Sequence, residues 1–161
     1  MTPSAQQHTD HRARALKAVS VADHMLSVTY PLLKDPKLLL AVLDNISKSL
    51  EANVASLVTR DRTLQLVPAC PPTFDAQYTV FKRYLVRRYA LEETYIGLID
   101  DVRSIIKQHK DSSIEFSRKG RFVICNEDYS LQTLNAKEIK TYLKGAKDFS
   151  DAIGRCHERS T

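Results

Sequence analysis

The segment Arg103-Ser104-Ile105-Ile106-Lys107-Gln108-His109 sets an arginine and a histidine with five residues between them. A histidine titrates near neutral pH and can take up a proton, while an arginine keeps its charge and can hold an anion. Little else in the chain speaks of chemistry. Four glycines supply no phosphate-cradling loop, and no HExxH, nucleophile elbow or EF-hand loop occurs. His8, His11, His24, His109 and His157 show no metal-ligand spacing, so neither a metal nor another cofactor is expected. The adjacent carboxylates Asp100 and Asp101 diverge on a helix and read as a solvated face.

Composition bounds the class. The 161 residues, 43% hydrophobic and 27% charged, suit one globular domain with an ordinary surface. Three cysteines, Cys70, Cys125 and Cys156, are odd in number and form no CxxC. A reducing, cytoplasmic setting is therefore expected. No apolar run approaches a membrane span, and Met1 to Asp10 lacks the apolar region of a secretory signal. The net charge of +5 gathers in clusters: Arg12, Arg14 and Lys17; Lys82, Arg83, Arg87 and Arg88; Arg118, Lys119 and Arg121. Such clusters can meet phosphates, or simply keep the surface soluble. Tyr84, Tyr89 and Tyr95 lie among arginines and could stack bases; at helical spacing, however, tyrosines more often belong to a core.

The elements that must carry these residues are mostly helical. Residues 1–12 are polar and aperiodic and read as a flexible tail. From about Ala13 to Tyr30, Leu16, Val19, Ala22, Leu26 and Tyr30 recur every three or four positions, which predicts an amphipathic helix. Asp35 and Pro36 restart the chain as N-cap and first-turn residue. A long second helix follows on Leu39, Leu43, Ile46, Leu50, Val54 and Leu57 and ends near Arg60; with the first it forms an antiparallel hairpin. Pro68, Pro71 and Pro72 enforce a loop. Phe74, Tyr78, Phe81 and Leu85 stripe a third helix. A fourth, Leu91 to Lys110, carries the Arg103–His109 segment at its end.

The period then changes. Residues 113–117 alternate, residues 121–125 are β-branched and aromatic, and Arg118-Lys119-Gly120 lies between them with glycine where a tight turn needs positive φ. This predicts a small β-hairpin. Asn135-Ala136-Lys137-Glu138 opens a last helix on Ile139, Tyr142, Leu143, Ala146, Phe149 and Ile153, with Gly154 as its stop. The expected architecture is an all-α antiparallel bundle of about five helices with a small β-hairpin before the last, formed by one domain over residues 13–154, and a C-terminal tail over residues 155–161.

The Arg103–His109 pair at the end of a long helix, followed by a turn and one more helix, resembles the HEPN-domain family, whose motif is an arginine and a histidine separated by four to six residues. The likeness of layout covers roughly residues 13–153. It implies a nucleotide- or RNA-binding protein, and metal-independent endoribonuclease activity of the kind found in toxin and stress systems. In that reading His109 takes the proton of a ribose 2′-hydroxyl and Arg103 steadies the phosphorane. Arg87, Arg88, Arg118 and Lys119 would hold the backbone. Ser104 stands where cleaving members usually carry Asn, Asp or His, and can still hydrogen-bond to substrate. Six residues turn a straight helix through about 600°, so the two side chains diverge by about 120°. The family pairs its motifs across a homodimer, and a homodimer is implied here. Partners such as an antitoxin or a nucleotidyltransferase chain, to which some relatives present nucleotides, are implied as well. A different class of function fits the same elements: a non-catalytic helical adaptor or dimeric scaffold, binding a protein through its apolar stripes, the proline loop and the hairpin.

Overall fold

The computed structural model describes residues 3–112 and 114–159. Its centre is α3 (Lys37–Thr63), whose stripe Leu39, Leu43, Ile46, Leu50, Val54 and Leu57 is at most 1% exposed. A helix buried along that much of its length must be wrapped by others. On one side lies α1 (Pro3–His24), which runs through a π-helical turn, Met25–Thr29, into α2 (Tyr30–Leu33). The π turn answers a proline. Pro31 offers no N–H, and its ring would strike the carbonyl one turn back in a regular helix. Widening the ladder, with Tyr30 N–H bonded to the Met25 carbonyl, lets the helix continue through Leu33. Lys34 then takes a left-handed φ of 51° and the chain reverses into α3.

After the proline loop, Thr73 caps α4 (Phe74–Val80) by accepting a hydrogen bond from Ala76 N–H. A second π turn, Phe81–Leu85, joins α4 to the short α5 (Val86–Arg88). α6 (Thr94–Asp111) buries Ile99, Val102 and Ile105 against α3. Then come β1 (Ile114–Arg118), β2 (Arg121–Cys125) and β3 (Leu131–Leu134), an antiparallel sheet in the order β1-β2-β3. α7 (Ala136–Glu158) closes the bundle, opened by Asn135, whose side chain accepts from Glu138 N–H at 2.9 Å.

Five expectations change. The all-α reading becomes mainly helical with a three-stranded sheet, because Leu131–Leu134 adds a strand beside β2. Residue 113, at the expected start of the hairpin, lies outside the described residues. The expected N-terminal tail over residues 1–12 is helical from Pro3 onward. Its inward positions, His8 and Arg12, extend the stripe Ala15, Val19, Ala22 and Leu26 at the same spacing but with polar side chains. Leu16 is 46% exposed, so Ala15, not Leu16, belongs to that stripe. The tail expected over residues 155–161 is helical as far as Glu158. Gly154 does not stop the helix; a Cβ there would sit 2.7 Å from Arg12 Nη2.

This close approach belongs to a buried polar seam joining α1, α3 and α7. Arg12 Nη1 donates to Asn53 Oδ1 at 2.7 Å and Ser150 Oγ at 2.8 Å. Ser56 Oγ donates to the Asn53 carbonyl and lies 3.0 Å from His157 Nε2, while the His157 ring stacks on His8. Arg60 donates to the carbonyls of Cys156 and Arg159 at the end of α7. Next to it, the Tyr89 hydroxyl donates to the fully buried Asp61. Buried charge is costly unless it is partnered, so the pairing of Arg12, Arg60 and Asp61 ties these helices together in one register, while Asn53 Nδ2 is buried without a hydrogen-bond partner among the described residues.

Candidate nucleic-acid interface

Phosphates need exposed cations that point one way, and α1, α3 and α6 supply them at helical spacing. Arg14 and Lys17 are three apart on α1, Lys48 projects from the outer face of α3, and Arg103, Lys107 and Lys110 recur along α6. All but Arg103 are exposed, and Arg103 is about one-third exposed. They rim two adjoining depressions that share Glu51. The first, about 540 Å³, lies between α1, α3 and the start of α4. Ala18, Val21, Ala52, Ala55, Pro72 and Phe74 make its apolar surface, with His11, Arg14, Lys17 and Lys48 around them. The second, about 550 Å³, lies between α3 and α6 and is lined by Ser47, Glu51, Asp100, Arg103, Ser104, Ile106, Lys107, Lys110 and Asp111.

Arg103 sits at the junction. Its Nη2 donates to Asp75 Oδ1 at 2.7 Å, its Nε is 4.0 Å from Glu51 Oε1, and its guanidinium lies over the Phe74 ring at 4.6 Å from the centroid. A planar cation resting on an aromatic face and held by two carboxylates is fixed in orientation. Burial raises the Glu51 pKa above the ordinary carboxylate range, against the pull of Arg103 and Lys110. On α1, Arg14 Nη2 meets His11 Nδ1 at 2.5 Å. Burial, and then the Arg14 charge, lower the His11 pKa. Arg14 can only donate, so His11 Nδ1 accepts from it and a proton on the ring is carried by Nε2.

The expected residues divide. Arg103 and Ser104 line the second depression together. His109 lines neither: its Nδ1 contacts Glu115 Oε1 and fastens α6 to β1. Arg103 and His109 are thus given to different partners on one helix. Arg88, expected to hold a nucleic-acid backbone, instead reaches Asp61 Oδ2 at 3.3 Å and donates to the Leu66 carbonyl at 2.9 Å, because the buried Asp61 needs a counter-charge. Arg87, Arg118 and Lys119 are exposed, the last two at the β1–β2 turn, and line neither depression. Lys107 and Lys110 were not among the residues expected at a site; their signal was the spacing from Arg103 along the polar face of α6. Lys48 and Glu51 carried no signal beyond being the polar side of a striped helix.

A third depression of about 580 Å³, between α6 and α7, is rimmed by Glu92, Asp101, Asp148 and Asp151 and has the wrong charge for phosphate. Among the described residues no three His, Cys, Asp or Glu side chains gather as metal ligands, and no helix is long and apolar enough to cross a membrane. No family model, curated protein or solved structure matches the chain.

Proposed function

We propose that this chain is a helical nucleotide- or RNA-binding protein, HEPN-like in layout, whose binding face is formed by α1, α3 and α6. The observation that supports the reading is the pair of depressions sharing Glu51. Cations stand on both sides, an apolar surface that a base can cover lies in one of them, and the Arg103 guanidinium on Phe74 joins the two. Phosphates would meet Arg14, Lys17, Lys48, Lys107 and Lys110. A base would rest against Phe74 and the alanines.

The test is binding of a fluorescent single-stranded RNA in EDTA over a salt series. Four or five phosphate contacts on a single strand predict roughly a hundredfold loss of affinity between about 50 and 200 mM salt. The double variant Lys107→Glu/Lys110→Glu should lower affinity at least about tenfold. Binding that ignores salt and this reversal would remove the reading. A mixed RNA pool, incubated in EDTA with the wild type and with His109→Ala, separates binding from cleavage. Loss of product with His109→Ala would make the protein the metal-independent ribonuclease that the family likeness implies. Uncut RNA that is nevertheless bound leaves the protein a binder.

A further inference from the structure

The sheet has two unlike faces. Opposed residues of an antiparallel pair share a face, so the register places Glu115 with Ile124 and Gln132, and Ser117 with Phe122 and Leu134. That face is turned to the helices: Phe122, Ile124 and Leu134 are at most 3% exposed. The other face holds Ile114, Cys125 and Leu131 in one row, then Phe116, Val123 and Thr133, then Arg118 and Arg121. Ile114 is 56%, Phe116 42% and Leu131 62% exposed, and Tyr129 in the adjoining β2–β3 turn is 88% exposed.

We infer that this outer face binds a second copy of the chain, sheet against sheet. Charge selects the partner. One end of the face is basic, with Arg118, Lys119 and Arg121. The other end is acidic, with Asp111 before β1 and Glu127 and Asp128 in the β2–β3 turn; all six side chains are exposed. A two-fold axis lying between the sheets and perpendicular to the strands sets each basic end over the acidic end of the other copy and stacks the apolar rows in the middle, with the sheets about 10 Å apart.

Area is consistent with this occupant. Large side chains exposed to these extents offer on the order of 400–500 Å² per copy. Doubled, and with the charged ends added, that reaches the lower limit of about 1,200 Å² for a specific interface. The dimer is accordingly weak and reversible. Only Asp111 is common to this face and the depressions around Glu51, and none of the variants used below touches a residue of the anion-binding reading.

Sedimentation equilibrium of the full chain over a concentration series reads the dissociation constant. The expected result is a monomer–dimer equilibrium at micromolar concentration. Leu131→Asp, on an exposed side chain that the fold does not need, should abolish it while the circular dichroism stays unchanged. The pair Arg118→Glu/Arg121→Glu should raise the dissociation constant at least about tenfold, and adding Glu127→Lys/Asp128→Lys should bring it back. A wild type that stays monomeric, a dimer untouched by Leu131→Asp, or a charge swap that fails to restore association would each overturn the inference.

Discussion

Arg12 Nη2 lies 2.7 Å from the point where a Cβ on residue 154 would stand. The guanidinium cannot easily yield, because its other nitrogen holds Asn53 and Ser150. Gly154 is therefore the space that lets α1 and α7 share this charge, in mid-helix where glycine costs about 1 kcal/mol relative to alanine.

A sign change tests this. In the wild type, Gly154→Ala should destabilise by about 1 kcal/mol net, since displacing the arginine outweighs the gain in helix propensity. Arg12→Ala alone should cost about 2–3 kcal/mol, because it strips the buried Asn53 of its charged partner. In the Arg12→Ala background the same Gly154→Ala should stabilise by roughly 0.5–1 kcal/mol. Denaturant unfolding of the four proteins gives the cycle; additive effects would show that the two residues do not compete for this space.

The His157 side chain is held down to a pKa of about 4 by burial, and further by Arg60, His8 and Arg12 around it. The His8 pKa is also lowered, by burial and by Arg60. Between about pH 4 and 6.5 the unfolded chain binds a proton at position 157 that the folded chain refuses, so stability rises with pH through that window. With solvent screening discounted, the rise is on the order of 1–2 kcal/mol. In His157→Gln the pH dependence across this window should be flatter by about that amount. An unchanged slope would mean that the ring is charged in the folded protein.

His109 and Arg103 should separate experimentally. The Arg103 guanidinium lies on Phe74 beside the shared Glu51, while His109 contacts Glu115 of β1. Arg103→Ala should weaken RNA binding about fivefold to tenfold, and Arg103→Lys nearly as much, since a lysine neither stacks as a plane nor forks to two carboxylates. His109→Ala should leave RNA affinity within about twofold and instead speed hydrogen exchange in β1. Equal losses of RNA binding would place both residues on one substrate.

The β1–β2 turn places both Lys119, φ 47°, and Gly120, φ 74°, in the left-handed region. Such a turn favours Asn-Gly. Lys119→Asn should stabilise by roughly 0.5 kcal/mol, whereas Gly120→Ala should cost about 1 kcal/mol. The readout is thermal unfolding.

What could be read in the chain follows from which forces leave a periodic trace. The α3 stripe was legible because burial there is purely apolar, and Leu39 to Leu57 repeat at the helical period. The Asn135 cap and the Lys119-Gly120 turn were legible because local backbone geometry demands those residue types. α1 before residue 13 was not, because its docking side is His8 and Arg12, which pattern as surface until Asn53, Ser150 and His157 are brought to them. β3 was missed because Leu131–Leu134 is short and one of its leucines faces outward. The basic face around Glu51 joins three helices distant in sequence; Arg103 and Ser104 could be named, but not the Lys48, Lys107 and Lys110 that stand with them.

The polar seam also sets a timetable. Arg12 meets Ser150 across 138 positions of chain. A ribosome needs on the order of ten seconds to cover that distance. For that interval α1 can lie on α3 through Ala15, Val19, Ala22 and Leu26, but its first three turns lack their partners on α7. In chain order, then, the apolar end of the α1–α3 pair has its partners first, and the charged end gains Ser150 and His157 only when α7 follows.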